Sequence, residues 1–508
     1  MQNKFYLTTA IAYVNGAPHI GHALEFIQSD AIARYMRQHG KDVYFLTGTD
    51  EHGVKIVKTA QEKGVTPQKL ADENSAKFRV LREKFNLSWD DFIRTSDKQK
   101  HWPAVTKLWN KLIESGDLYE KEYEGLYCYG CEEFKKETDL IDGNCPNHNR
   151  PPEVVKEKNW FFRLSKYSDQ ILEKLESREV AIVPEFRAKE IINVVKGGLH
   201  DVSFSRPKEN LKGWGIPVPS DDNQLMYVWC DALTNYISAI DYANEGELWK
   251  WWPVDVHCIG KDIVRFHAGI WIGMLLAAKI ALPKQIYVHG FITSEGQKMS
   301  KSLGNVVEPE AVAAEWGIDA LRYYLLAEIP NGQDGDFSSA RFAEKYNSDL
   351  ANGLGNLVSR VITMGMKIGE IFPITKLEEN GKKEAAKMWK GIATAMENYD
   401  FRIALENVFN LVEWCNKYVD VTKPWELAKT DAAKQLEVLS TLLEAIRQIA
   451  LALSPFIPET AEKIAVALGI SLTGEIKKLQ EWGSVQEFKL VKPGILFPKK
   501  ETKGKEFC

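Results

Sequence analysis

The chain lacks any apolar run approaching the roughly 18 residues that a membrane-spanning helix needs, so no association with a membrane is expected. Its first ten residues, MQNKFYLTTA, hold no basic stretch followed by an apolar one, so a secretory leader is not expected either. Cysteine is sparse, seven in 508 residues, and odd in number. That excludes a disulfide-dense scaffold and fits a reducing, cytoplasmic setting, where clustered cysteines more often bind metal than pair. No charge sign dominates: 65 Lys and Arg stand against 70 Asp and Glu, a net −5. Indiscriminate coating of nucleic acid is thereby disfavoured, although a local basic groove is not. Internal repeats and low-complexity tracts are absent. The rest of the composition, 44% hydrophobic and 27% charged, is ordinary for a soluble protein, at a length that predicts two to four domains.

Residues 4–14 (KFYLTTAIAYV) read as a buried strand, and Asn15-Gly16-Ala17-Pro18 as a turn. Residues 22–38 read as an amphipathic helix, with Leu24, Ile27, Ala31 and Tyr35 at helical spacing and Gly40 as its stop. Residues 42–48 (DVYFLTG) complete a parallel βαβ unit. Residues 65–115 look helical. From about 118 to 160 the texture changes to short tyrosine-rich segments with a cysteine cluster, which suggests an inserted domain. Residues 160–200 return to helix signals, and 200–230 hold Pro207, Pro217 and Pro219 between aromatic strands. A second alternation comes next: strand 254–260, helix 262–281, strand 285–292. A sheet interrupted and resumed predicts a split, doubly wound α/β fold with its ligand crevice at the carboxyl ends of the strands. Residues 340–475 read as a helix bundle. The lysine-rich end, KKETKGKEFC, is expected to fray.

Three motifs carry chemistry. Pro18-His19-Ile20-Gly21-His22 comes after a strand and opens a helix. A helix start presents N–H groups and partial positive charge to phosphate, Gly21 allows close approach, and two imidazoles can donate hydrogen bonds. Lys298-Met299-Ser300-Lys301-Ser302 comes after another strand, between Gly296 and Gly304. Two lysines on a hinged loop can close on a polyphosphate and stabilise charge developing during transfer. Singly, each motif is also what two ordinary histidines or a solvated basic loop would look like. Cys128 and Cys131, with Cys145 after thirteen intervening residues and then His148, have the spacing of a closed tetrahedral zinc knuckle. Coincidental cysteines or a disulfide are the alternatives there. Cys230, Cys258, Cys415 and Cys508 look unpaired and inert. Tyr13, Trp229, Tyr236, Phe266 and His267 lie near the expected crevice, where Asp50 and Asp262 could neutralise an ammonium group. Each of the aromatic residues could equally be core.

The paired motifs resemble the HIGH and KMSKS signatures of class I aminoacyl-tRNA synthetases. Segments 10–16 (AIAYVNG), 49–53 (TDEHG), 228–232 (VWCDA) and 260–267 (GKDIVRFH) are similar to those of the methionyl-tRNA synthetase family, and the likeness spans nearly the whole chain. The resemblance implies a split Rossmann-like (HUP) catalytic domain in residues 1–115 and 226–339. It implies a zinc-knuckle connective insertion in 116–225, an all-α anticodon-binding bundle in 340–480 and a tail in 481–508. It assigns His19, His22, Lys298 and Lys301 to catalysis. The same residues with Gly21, Met299 and Ser300 would bind ATP with Mg²⁺. Ile11, Tyr13, Asp50, Trp229, Ala232, Tyr236, Ile263, Phe266 and His267 would bind methionine, with Asp50 on its ammonium group. Asn356, Arg360 and Trp425 would read the anticodon, the tryptophan as a stacking platform. One departure is Ala12, where the family often carries Pro or Tyr; strand alternation points that side chain away from the pocket.

The resemblance thus implies ligation of L-methionine to tRNA(Met), the initiator included, by a cytoplasmic monomer. A leucine, isoleucine or valine enzyme would need a large editing insertion, and a cysteine enzyme metal-binding cysteines in the crevice. A catalytically silent tRNA-binding scaffold, or a nucleotidyltransferase with an HxGH signature and no tRNA, are the rival classes. Intact phosphate-handling motifs weigh against the first and the helical domain against the second.

Overall fold

The computed structural model describes residues 3–131, 133–146, 149–297, 299 and 305–500. Seven parallel strands join in one sheet among them. Lys4–Thr9 is central, flanked by Asp42–Asp50 on one side and Val256–Gly260 on the other. Gln285–His289 and Ala181–Val183 continue one edge. Asp91–Arg94 pairs with the outer side of Asp42–Asp50, and Ala12–Tyr13 pairs with the carboxyl end of that strand on the side facing Lys4–Thr9. The winding reverses direction at Lys4–Thr9, and in sheets of this kind the ligand crevice lies at such a switch point, here at the carboxyl ends of Lys4–Thr9 and Val256–Gly260.

Alternation along Lys4–Thr9 serves two cores. Phe5 and Leu7 face a cluster shared with helix Ile20–Gln38 and the helical domain, whereas Tyr6 faces a second cluster with helix Trp102–Glu114. Strand signals expected over residues 4–14 break at Ala10-Ile11. The pairing is interrupted there, and Ala12 re-pairs with Thr49 further along the same side of the neighbouring strand. Ala12 packs into the first core and Ile11 against the second, as alternation predicts.

Three other expectations change. The helical reading of residues 65–115 misses the four-residue strand Asp91–Arg94, too short to show a period of two. The helix expected over 262–281 runs from a π-helical turn, Phe266–Trp271, into Ile272–Ala277; such turns re-aim side chains. The insertion expected over 116–225 is not one separate body, because Ala181–Val183 belongs to the parallel sheet. Its antiparallel part is formed by Leu118–Cys128 and Glu153–Phe162, with Glu133–Lys135 and Val202–Ser203 on either side.

The bundle comprises Asn356–Met366, Glu379–Met396, Phe401–Thr422, Ala432–Leu453 and Pro458–Leu468. The chain ahead of the lysine-rich end is docked, and of that end only Lys499 and Lys500 are among the described residues. Glu487–Lys489 pairs with Ile371–Pro373, Phe488 is fully buried, and Tyr346 donates to the Pro498 carbonyl at 2.9 Å. Apolar Phe488, Leu490 and Phe497 supply the burial that composition alone hides. Residues 501–508, including Cys508, lie outside the described residues. No helix among the described residues is long and apolar enough to cross a membrane.

A buried ion pair joins helix Ile20–Gln38 to helix Ile318–Ala327, whose arginine also reaches the bundle. Arg322 and Asp30, neither with any exposed side-chain surface, meet at 2.7 Å. Arg322 Nε also donates to the Phe456 carbonyl at 2.8 Å. Asp30 accepts from Arg34 at 2.7 Å and from the Ser88 amide at 2.7 Å. Burial disfavours this carboxylate, but the arginines and Ser88 hold its pKa below the ordinary value. Arg322→Ala leaves the charge on Asp30 under-compensated, and a loss of roughly 3–5 kcal/mol is expected. An unchanged urea midpoint in that variant would show that the pair does not bind the two parts together.

Candidate active site

Helix Ile20–Gln38 starts on a reciprocal cap built from two histidines. His19 Nδ1 accepts the Gly21 amide at 3.1 Å, and His22 Nδ1 accepts the His19 amide at 3.2 Å. Each ring nitrogen that accepts must be unprotonated, so each imidazole carries its proton on Nε2. The rings lie 3.9 Å apart, and Phe78 meets His22 edge-on at 5.0 Å. Burial, with His19 and His289 nearby, pushes the His22 pKa well below its ordinary value. A Cβ on Gly21 would come within 3.0 Å of His19 Cε1, so glycine leaves room for the capping ring.

The expectation of free N–H groups at this helix start is not met. Ile20 N donates to the Val307 carbonyl at 3.2 Å and His22 N to the His19 carbonyl at 2.9 Å, while Gly21 N is held by His19. Hydrogen-bond donation from this turn therefore falls to the two Nε2–H groups, backed by the helix dipole.

The Val307 contact also places one flank of the second motif. Ile292, in the strand Ile292–Ser294 ahead of it, would lie 3.8 Å from a Cβ on Gly21. Met299 packs against the core cluster that holds Ile20, Ile292 and Val307. Both approaches to the lysine segment thus touch the start of the histidine helix. Lys298, Ser300 and Lys301 lie outside the described residues.

Ile11, Tyr13, Trp229, Tyr236, Ile263 and Phe266 pack into or against one apolar cluster. Trp229 and Phe266 stack at 3.9 Å with rings 5° from parallel. Ala232 and His267 are buried. His267 Nδ1 faces the Ile263 carbonyl at 3.1 Å, which leaves Nε2 to accept the Tyr236 hydroxyl at 2.7 Å. Burial lowers the His267 pKa to about 4. Asp50 stands in register with Tyr13 at the sheet edge and is almost wholly buried.

Sequence reasoning missed two buried clusters. His289 Nε2 and Glu25 meet at 2.9 Å beside Gly260, where a Cβ would strike Asp262 at 2.9 Å. Burial opposes charge on both, yet the Glu25 bond raises the His289 pKa. The spacing of His22 and Glu25, three apart on one helix face, was a usable signal. The other cluster is Asp231 with His52 and His101, at 2.6 and 2.7 Å. Asp231 lies 179 residues from His52 in the chain and leaves no spacing to read.

Cys128, Cys131 and Cys145 bring their sulfurs within 4.8 Å of one another. Three thiol ligands so gathered fit three corners of a zinc tetrahedron; His148, the expected fourth, lies outside the described residues. Cys230, Cys258 and Cys415 are buried free thiols whose pKa burial pushes up. In the bundle, Asn356 is exposed, and Arg360 reaches Asp420 and Asn416, both at 3.1 Å. Trp425, 44% exposed, lies just past the same end of helix Phe401–Thr422.

A parallel sheet reversing beside a histidine-capped helix, with a glycine-flanked lysine segment alongside, defines a class I aminoacyl-tRNA synthetase. Residues 5–151 and 135–362 match the model of "tRNA synthetases class I (M)", and residues 382–502 the anticodon-binding domain of tRNA ligases. The methionine–tRNA ligase of Rickettsia conorii is 43% identical, covering 99% of this chain and 100% of that protein. The one from Caldanaerobacter subterraneus is also 43% identical, over 98% of this chain and 79% of its own length. The Mycobacterium tuberculosis methionyl-tRNA synthetase in complex with methionyl-adenylate superposes with a TM-score of 0.93 at 39% identity, covering 98% of this chain and 100% of that one. The chain belongs to the methionyl-tRNA synthetase family.

This geometry makes two outcomes measurable. His267 has a folded pKa near 4 against 6.5 when unfolded, so acid favours the unfolded chain. Its contribution, roughly 3 kcal/mol, is complete above pH 6.5 and is lost as pH falls toward 4. Nitrogen NMR should find the ring neutral at about pH 5.5, and a midpoint near 6.5 would contradict this. Elemental analysis should find one zinc per chain, sharply reduced by Cys131→Ser; full zinc in that variant would remove Cys131 from the ligand set.

Proposed function

We propose that the chain ligates L-methionine to tRNA(Met) in two steps at this crevice. The observation that carries the reading is the contact of the lysine segment's flanks with the histidine-capped helix, through Ile20 and Val307. It allows two cationic or hydrogen-donating groups to act on one triphosphate.

In the first step the methionine carboxylate attacks the α-phosphorus of MgATP and pyrophosphate leaves. The nucleophile is already an anion, so no enzyme base is required, and catalysis is positioning plus charge stabilisation. His19 and His22 donate Nε2–H to phosphate oxygens. Lys298 and Lys301 draw the leaving pyrophosphate, with Gly21, Met299 and Ser300 shaping the ATP site. Asp50 takes the methionine ammonium. Ile11, Tyr13, Ala232, Ile263 and the Trp229–Phe266 pair line the side-chain pocket, where sulfur packs on aromatic rings. The neutral Tyr236–His267 pair closes its floor without adding charge. In the second step the 3′-terminal ribose hydroxyl of tRNA attacks the adenylate carbonyl and AMP leaves.

Zinc on Cys128, Cys131, Cys145 and His148 would be structural, closing the tip of the insertion. Asn356, Arg360 and Trp425 would bind anticodon bases at one end of the bundle. The enzyme acts as a cytoplasmic monomer, on initiator and elongator tRNA(Met) alike.

Lys301→Ala is expected to abolish methionine-dependent ATP–pyrophosphate exchange while methionine affinity by calorimetry stays within about twofold. An unchanged exchange rate would overturn the role given to Lys301.

A further inference from the structure

The pocket wall is carried by two short helical segments, Val228–Leu233 and Asn235–Ser238, neither capped by a side chain. Segments of six and four residues cannot fix their own orientation. Trp229 must nevertheless be held against Phe266, and at a set distance from Asp50.

A buried carboxylate supplies the restraint. Asp231 is 1% exposed and both of its oxygens are engaged: Oδ2 by His52 Nδ1 at 2.6 Å, Oδ1 by His101 Nε2 at 2.7 Å. Burial disfavours the charged form, but the two imidazoles hold its pKa below the ordinary range. An ionised carboxylate only accepts, so both ring nitrogens donate. His101 Nδ1 meets Ser238 Oγ at 2.7 Å, so one ring grips both short segments.

On the other side, His52 stands two residues from Asp50. The residue between them, Glu51, is fully buried. It is clamped by Arg94 at 2.7 and 3.0 Å and by Thr49 at 2.7 Å. Its carbonyl accepts Trp214 Nε1 at 2.6 Å, and Trp214 packs on the His52 ring at 5.2 Å. His52 is therefore fixed to a stiff strand end.

We propose that His52 and Asp231 are positioning residues that set the spacing between the ammonium-binding carboxylate, Asp50, and the aromatic wall at Trp229. The proposal rests on the reading of this pocket as the methionine site. Neither residue touches substrate; each acts through the residue two positions before it. Loss of the link lets the wall drift from the carboxylate, which weakens methionine capture and leaves ATP binding alone.

The test is steady-state pyrophosphate exchange with methionine and ATP varied separately, alongside urea midpoints, for four variants. His52→Ala should raise the methionine KM at least ~10-fold with the ATP KM unchanged. His52→Asn, whose amide nitrogen replaces Nδ1 as donor, should restore the methionine KM to near wild type. Asp231→Asn, isosteric but offering one oxygen for two donors, should behave like His52→Ala. A methionine KM unmoved in His52→Ala, or a loss shared equally with ATP and not rescued by His52→Asn, overturns the proposal. Trp229→Ala separates the two readings: an unchanged methionine KM there removes the pocket assignment itself.

Discussion

The amide of Ile20 and the carbonyl of Val307 share one hydrogen bond, 3.2 Å long, and the proposed catalytic geometry depends on it. Val307 lies just beyond the lysine segment, and Ile20 is the first residue of the helix that His19 and His22 cap. The bond consumes the N–H that a phosphate would otherwise claim. In exchange it ties two stretches almost 290 residues apart in the chain, and from opposite halves of the sheet, to one point at the crevice. The histidines consume the remaining N–H groups of the first turn and direct their own Nε2–H groups elsewhere. The anion-binding capacity of the helix start is thus transferred from backbone to side chain.

Around that point the buried charges are partnered in ways that hold elements rather than substrates. Asp30 with Arg322 joins the capped helix to helix Ile318–Ala327, and through Phe456 to the bundle; Glu51 with Arg94 stiffens the strand end beside Asp50; Asp231 with two histidines stands behind the pocket wall. A buried pair adds little net stability over apolar packing, but it penalises any arrangement that separates its members. The lysine segment, by contrast, is bounded in sequence by Gly296 and Gly304.

Much of this was legible in the sequence because the chemistry is local there. Strand, turn and capped helix succeed one another within 38 residues, and the cysteine spacing stands out against a chain poor in cysteine. Asp91–Arg94 and Ala181–Val183 were not legible as strands, since four and three residues carry no periodicity and their pairing is set by tertiary contact. The docked strand Glu487–Lys489 was hidden because only one of its three side chains, Phe488, is buried. The pairings of Glu25 with His289, and of Asp231 with His52 and His101, were hidden for another reason, although Glu25 itself stood three residues from His22. Their partners lie 130 to 264 residues apart in the chain, and only the fold brings them together.

The central claim, that the capped histidines and the lysine segment act on the same triphosphate, is tested most directly by a double-mutant cycle. Single-turnover adenylate formation would be measured for His22→Asn, Lys301→Ala and the double variant. The account predicts a coupling of about 1 kcal/mol or more, because each residue acts on a transition state the other has helped to hold. Losses that simply add would mean that the two groups work independently, and would contradict it.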